Sequence, residues 1–351
     1  MKRILVSIII ATFNSEKTLP LVFEGLSKQS LQRNKFEILL IDGGSKDNTK
    51  KIGKEFGARI INNPQTEPVN AKLIGFKNAL GRYIVYLDHD EVIENPDSLR
   101  KKIKIFKSNP KIKAVIASGY KNPSGYNWIN NYINEFGDPF SYFIYKLSKG
   151  SDYFMPTMIK RYKYASKTKD SVIFNFKGVK NLPLIELCAA GSMIDGDFIK
   201  QSFPDTLSKK ELIPHFFYLI YKNSLIAISK DDALIHYSSD TFNKYLNKIK
   251  WRVKNNIYHK DTMGESGFTG RSNYQPEVQK YKKYLFIPYS FTLFFCLLDS
   301  LSLSFTRKKL LYLIHLPLCL YTSSLIVYHS LLKLFGTKQV LRSYDEKKII
   351  K

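Results

Sequence analysis

Cysteine and acid are what this chain has little of. Its 351 residues include three cysteines, Cys188, Cys296 and Cys319, scattered and odd in number. No disulfide framework follows from them, and a reducing compartment fits. Against 55 lysines and arginines stand only 30 acids, a formal charge of +25. So basic a chain suits nucleic acid, a membrane surface or anionic substrates. Zinc-finger spacing, an RNA-binding signature and a helix-turn-helix pattern are all missing, so nucleic acid is not an expected partner. Lys2-Arg3 before the apolar residues 4–11 imitates a secretory signal. The run is short, no small-residue cleavage site follows, and its removal would delete the first strand, so secretion is not expected.

What is present starts with residues 83–91, Y-I-V-Y-L-D-H-D-E. Residues 83–87 read as a short strand buried on both faces, and Asp88, His89, Asp90 and Glu91 follow without a spacer. Carboxylates at the carboxyl end of such a strand lie where open α/β sheets bind ligands. Two aspartates one residue apart suit a hard divalent cation that carries a diphosphate.

Three more apolar runs precede it, at 6–11, 37–41 and 59–61, the first two leading into Thr12-Phe13-Asn14 and Asp42-Gly43-Gly44-Ser45. Between them residues 18–28, 47–56 and 72–80 are predicted helices, the first with Leu19, Val22, Phe23 and Leu26 on one face. Strands alternating with helices predict a mostly parallel sheet with right-handed crossovers and helices on both faces. All the polar strand ends then share one edge, a nucleotide-binding candidate.

The blocks V-S-I-I-I-A-T-F-N, I-L-L-I-D-G-G-S-K-D-N-T and A-K-L-I-G-F-K-N-A-L-G-R-Y-I-V-Y-L-D-H-D resemble, in order and spacing, those of family 2 glycosyltransferases with the GT-A fold. The resemblance is dense over residues 6–94, thins, and returns weakly at 189–195 and 233–237. It implies that Thr12, Asn14 and Glu16 form the first donor loop and that Asp42 meets the base or ribose. Lys72 stands where the family usually has arginine. Asp88 and Asp90 match the D-x-D pair, whose second member contacts the metal, Mg2+ or Mn2+. His89 reads as a loop residue. His236 matches a histidine that completes the metal and diphosphate site, and Arg252, on a basic helix, is a further donor contact. The family's Glu-Asp pair is incomplete here: Glu211 is the positional match for the catalytic base and Asp205 its rival. A glycine-rich segment at 263–271 suggests a mobile lid over the donor.

Residues 285–305 and 310–335 are almost wholly apolar, aromatic or hydroxylated, interrupted by Asp299 and by Arg307-Lys308-Lys309. Each is long enough, as a helix, to cross a bilayer. A hairpin would violate the positive-inside tendency and set Asp299, His315 and His329 at membrane depth. Helices lying in the cytoplasmic interface avoid both difficulties.

The expected organisation is a nucleotide-sugar half at 1–118, an acceptor half at 119–240, a basic helix and loop at 241–283, membrane-associated helices at 284–336 and a basic tail at 337–351. The aromatics of 119–180 serve equally as core or as a lipid-linked acceptor site. The expected activity is inverting, metal-dependent transfer from a nucleoside-diphosphate sugar to a lipid-linked or other membrane-associated hydroxyl, at the cytoplasmic face of the cell membrane. A polyprenyl-phosphate acceptor is the alternative, because an anion needs no strong base. A non-catalytic membrane scaffold is a third. A sugar-nucleotide pyrophosphorylase lacks support, since no glycine-rich basic loop follows the first run.

Overall fold

Apolar runs that cannot face water on either side become interior strands, and the structure, a computed structural model, builds its sheet from them. It describes residues 4–259 and 268–340. The strands are β1 Val6–Thr12, β2 Phe36–Asp42, β3 Arg59–Asn62, β4 Tyr83–Asp88, β5 Glu91–Ile93, β6 Ile112–Ile116, β7 Tyr120–Lys121, β8 Tyr164–Lys167, β9 Ser171–Phe174, β10 Ser192–Asp195, β11 Leu225–Ser229 and β12 Leu234–His236. A nine-stranded sheet runs β3-β2-β1-β4-β10-β6-β11-β9-β8, and a small one runs β5-β12-β7. β3, β2, β1 and β4 are mutually parallel, as the alternation of strands and helices required. β10 enters antiparallel between β4 and β6, so the sheet as a whole is mixed.

Helices α1 Leu19–Ser27, α2 Thr49–Glu55, α3 Pro68–Asn78 and α4 Ser98–Ser108 accompany these strands. The helix predicted at 72–80 starts earlier, at Pro68. Glu67 caps it, its carboxylate accepting from the amides of Val69 and Asn70, and Pro68 takes the first turn, where a missing N–H is harmless. At Gly75 a Cβ would lie 2.4 Å from Ile9 Cγ2. That close approach seats α3 flush on β1 and carries Lys72, one turn earlier, to the carboxyl end of the sheet. Val6, Ile8, Ile10, Leu40, Val85 and Leu87 pack against Leu19, Val22, Phe23 and Leu26 of α1, in one continuous core.

By compactness the described chain forms two units. The first holds the residues up to Pro123, Gly150–Gly178 and Ile185–Tyr237, including both sheets. The second holds Ser124–Lys149, Val179–Leu184 and the described residues from Ser238 onward, and is helical. Its core joins Tyr132, Ile133 and Phe136 to Tyr245, Ile249, Leu303, Tyr312 and Leu318. Tyr132, Phe136, Tyr142, Phe143 and Tyr145 are buried, so most of the aromatics in 119–180 serve as core. The first long apolar run breaks into Phe286–Phe291 and Phe294–Arg307, with Leu293 at φ +61° between them. The helices on either side, Glu277–Phe291 and Phe294–Arg307, meet at 87°. Leu310–Leu334 is the one described helix long and apolar enough by itself to cross a membrane.

Candidate active site

The loops after β1 and β2 lock together before anything else is added. Asn14, at φ +49°, accepts from the amide of Lys46 at 2.9 Å, and its own amide donates to Ser45 Oγ at 2.9 Å. Glu16 accepts from the amide and side chain of Asn48 at 3.1 and 3.0 Å. Asp42 is buried and turned onto its own loop, accepting from the amides of Gly44 at 3.0 Å and Ser45 at 3.1 Å. Thr12 Oγ1 is buried with no hydrogen-bond partner among the described residues. These donor-loop residues stand at or just after the carboxyl ends of β1 and β2, and Asn14, Glu16 and Asp42 shape the loops themselves.

β4 delivers the acids. Lys72 Nζ pairs with Asp88 Oδ1 at 2.9 Å. Burial opposes both charges, but each partner outweighs it: Lys72 holds the Asp88 carboxyl below its usual range, and Asp88 keeps the ammonium far above its own. Asp90 lies on the turn into β5. β12 pairs antiparallel with β5, setting His236 opposite Glu91, and the Tyr237 amide donates to the Asp90 carbonyl at 2.9 Å. That ladder brings His236 Nε2 to 3.7 Å from Asp90 Oδ2, with the ring stacked on Tyr120 at 4.6 Å between centroids. His89 turns away to Thr18 Oγ1 at 3.2 Å, as a loop residue.

Glu91 is a site residue that the sequence argument left out. It is buried, and its carboxylate accepts from Tyr120 Oη at 2.6 Å, Ala190 N at 3.2 Å and Asp88 N at 3.1 Å. Burial and the neighbouring Asp88 charge push it up to about 8 against those donors. Ala190 and Gly191 both take positive φ, +58° and +59°, so the small-residue turn Ala190-Gly191-Ser192 delivers an amide to the acid cluster. Glu186 and Cys188 precede that turn, and burial pushes the Cys188 thiol up to about 11. A signal was available: the third acid of D-H-D-E, set on a buried strand, had to find donors inside.

Of the two base candidates, Asp205 is exposed and pairs with Lys209 at 2.5 Å. Glu211 is half-buried in the 3-10 turn Lys210–His215, whose Lys210 lies 3.7 Å from Glu67, the cap of the helix carrying Lys72. Arg252 belongs to the second unit, where it pairs with Asp138 at 2.8 Å. Nearby on the same helix, Lys244 pairs with Asp240 at 2.6 Å. Of the glycine-rich segment 263–271, residues 263–267 lie outside the described residues, as do 341–351 of the basic tail.

The expected trio of metal ligands is not brought together. No group of three or more His, Cys, Asp or Glu side chains among the described residues could hold a metal ion. Asp90 and His236 converge, while Asp88 turns to Lys72. One carboxylate and one imidazole fit a hard dication only if a diphosphate supplies most of the other ligands, which is how Mg2+ commonly sits in nucleotide sites.

Residues 7–168 match the family model Glycosyl transferase family 2. Among curated relatives, Glycosyltransferase AglE of Haloferax volcanii is 28% identical over 91 residues, 24% of this chain and 30% of the relative. A Methanococcus voltae dolichyl N-acetyl-alpha-D-glucosaminyl phosphate 3-beta-D-2,3-diacetamido-2,3-dideoxy-beta-D-glucuronosyltransferase is 31% identical over 123 residues, 31% of this chain and 37% of the relative. The chain thus matches about a third of the length of these two relatives. Among solved structures, Staphylococcus aureus TarS 1-349 aligns with 95% of this chain and 92% of its own, at TM-score 0.47 and 16% identity. The mannosyltransferase PcManGT of Pyrobaculum calidifontis, in complex with GDP-Man and Mn2+, aligns with 95% of this chain and 88% of its own, at TM-score 0.49 and 12% identity.

Proposed function

We propose that this protein transfers a sugar, with inversion, from a nucleoside diphosphate to a membrane-associated hydroxyl, a lipid-linked glycan above all. The observation that carries the reading is the pair Lys72–Asp88 standing beside Asp90–His236 at the carboxyl ends of the parallel strands. The loops after β1 and β2 would hold the nucleotide. Asp90 and His236 would hold Mg2+ or Mn2+, which supplies a Lewis acid for the charge on the departing diphosphate. Lys72, kept protonated by Asp88, adds fixed positive charge at the same edge.

The bond from the anomeric carbon to the diphosphate oxygen breaks, and its electron pair leaves with the diphosphate. The acceptor oxygen bonds to the opposite face of that carbon. A carboxylate must take the hydroxyl proton, and Glu211 suits the role better than Asp205, whose charge is already matched by Lys209. The proposed location is the cytoplasmic face of the cell membrane, held there by the carboxyl-terminal apolar helices. The name of one relative supports it, since that enzyme acts on a dolichyl phosphate sugar.

The test is metal-dependent release of nucleoside diphosphate from a panel of sugar nucleotides, in detergent, with membrane lipid extract added or omitted. Release should need the extract and fall by about a thousandfold or more in Asp90→Ala. Folded protein that releases nothing from any donor would instead be a non-catalytic scaffold.

A further inference from the structure

Helix Phe294–Arg307 carries its polarity inverted. Its inward residues are Cys296, Ser300, Leu303 and Ser304, with Asp299 and Arg307 half-buried beside them. Its outward stripe is Phe294, Leu298, Leu301 and Phe305, at the i, i+4, i+7, i+11 spacing of one helix face, and Phe305 is 86% exposed. The long helix behaves alike: His315, Thr322, Ser323 and His329 are buried, while Leu331 and Leu334 are exposed. A core helix of a water-soluble protein would bury the opposite face.

Asp299, His315 and Arg307 are matched, whereas Ser300 Oγ, Ser304 Oγ and Thr322 Oγ1 have no hydrogen-bond partner among the described residues. Tyr132 Oη meets His315 Nδ1 at 2.6 Å, and Tyr289 Oη meets His315 Nε2 at 3.0 Å. Tyr289 also donates to Asp299 at 2.5 Å, where Lys146 completes an ion pair, and Arg307 donates to Glu135 at 3.1 Å. Asp299 and His315 therefore have partners without water.

We propose that this outward face docks into one leaflet of an anionic bilayer, with Phe294, Leu298, Leu301 and Phe305 among the acyl chains. The proposal rests on the membrane location given above and deepens it. Charge complementarity selects the occupant: Lys308 and Lys309 are exposed immediately after the stripe, and Lys280, Lys282 and Lys283 precede it. Geometry selects one leaflet. Fourteen residues of helix are about 21 Å long, short of a hydrocarbon core of roughly 30 Å, and the preceding helix turns away at 87°. The long helix has the length to cross, but it carries a charged neighbour with it. It lies against Phe242–Tyr258, where Tyr258 Oη donates to the His329 carbonyl at 2.9 Å and Lys333 reaches the Ile257 carbonyl. Crossing would drag Lys248, Lys250, Arg252 and Lys254 of that neighbour to membrane depth.

The test uses the full chain, without donor, in flotation with phosphatidylcholine vesicles that hold about a third phosphatidylglycerol or none. Wild-type protein should float with the anionic vesicles and release at high salt. Leu298→Asp with Phe305→Asp should weaken binding at least about tenfold, with diphosphate release in detergent unchanged. Thr306→Cys and Thr337→Cys should both react with an impermeant maleimide added outside sealed vesicles. Protection of either one would overturn the one-leaflet geometry. Undiminished binding of the double variant would overturn this face while sparing the membrane location. Failure of wild-type protein to bind any vesicle would sink both. A wild-type dimer in water whose apolar stripe is shielded by its second copy would also overturn the proposal.

Discussion

The two units solve burial in opposite senses. In the first, β1, β2 and β4 put Ile8, Ile10, Leu40, Val85 and Leu87 out of reach of solvent, and polar groups gather at the strand ends. In the carboxyl-terminal part of the second, Ser290, Ser300, His315, Thr322 and His329 are inside, and Phe294, Phe305 and Leu310 are outside. The hydrophobic effect drives the first arrangement and cannot drive the second in water. Where lipid replaces water, apolar outer faces lose nothing, and buried polar groups then supply the specific contacts. The orientation of polarity on a helix thus reports the medium it was selected in, which mean hydropathy alone does not.

The comparison can be broken at a fully buried ion pair of the first unit. Lys102 and Asp232 meet at 2.7 Å with side chains 1% and 0% exposed. Lys102→Met should strand the Asp232 charge and cost about 3–5 kcal/mol, read from urea unfolding. The pair replacement Lys102→Met with Asp232→Leu should recover most of that loss. An unchanged midpoint in the single variant would mean that the interior admits water.

A matched pair of leucines sharpens it further. Leu40→Ala, in the first core, should cost about 2–5 kcal/mol in water. Leu301→Ala, on the outward stripe, should change unfolding in detergent-free buffer by no more than about 0.5 kcal/mol. Equal losses at the two positions would show that both face a protein core, and the contrast between the units would fail.

What the sequence made legible follows the same division. β1, β2 and β4 were readable because a strand buried on both faces leaves an unbroken apolar run, and the D-x-D acids were readable because they abut one. The pairing of His236 with Asp90 was legible only through resemblance, since it depends on β12 joining β5 across the length of the first unit. Arg252 matches the chemistry of a diphosphate contact, but charge type alone does not specify a partner; in the second unit it pairs with Asp138. The apolar tail announced its composition and hid its orientation: hydropathy counts residues, whereas the inversion appears only when Asp299 is found facing Lys146 and Tyr289.

The candidate site itself is probed through the titration of Glu91. Folded, Glu91 keeps its proton up to about pH 8, because burial and Asp88 penalise its charge; unfolded, it releases that proton near 4.5. Between those values the folded state binds more protons, so stability must fall as pH rises, by up to about 1.4 kcal/mol per pH unit. Below the window Glu91 contributes no slope, and above it the loss is complete. Three donors already point at this carboxylate and oppose the shift, so the observed slope should lie under that ceiling. Unfolding by urea at intervals from pH 5 to 8, for wild type and Glu91→Gln, isolates the contribution, since the amide cannot titrate. The two stability curves should diverge across the window, wild type falling faster. Parallel curves would mean that Glu91 stays ionised beside Asp88 and Asp90, and that the strand end carries three negative charges toward an incoming dication rather than two.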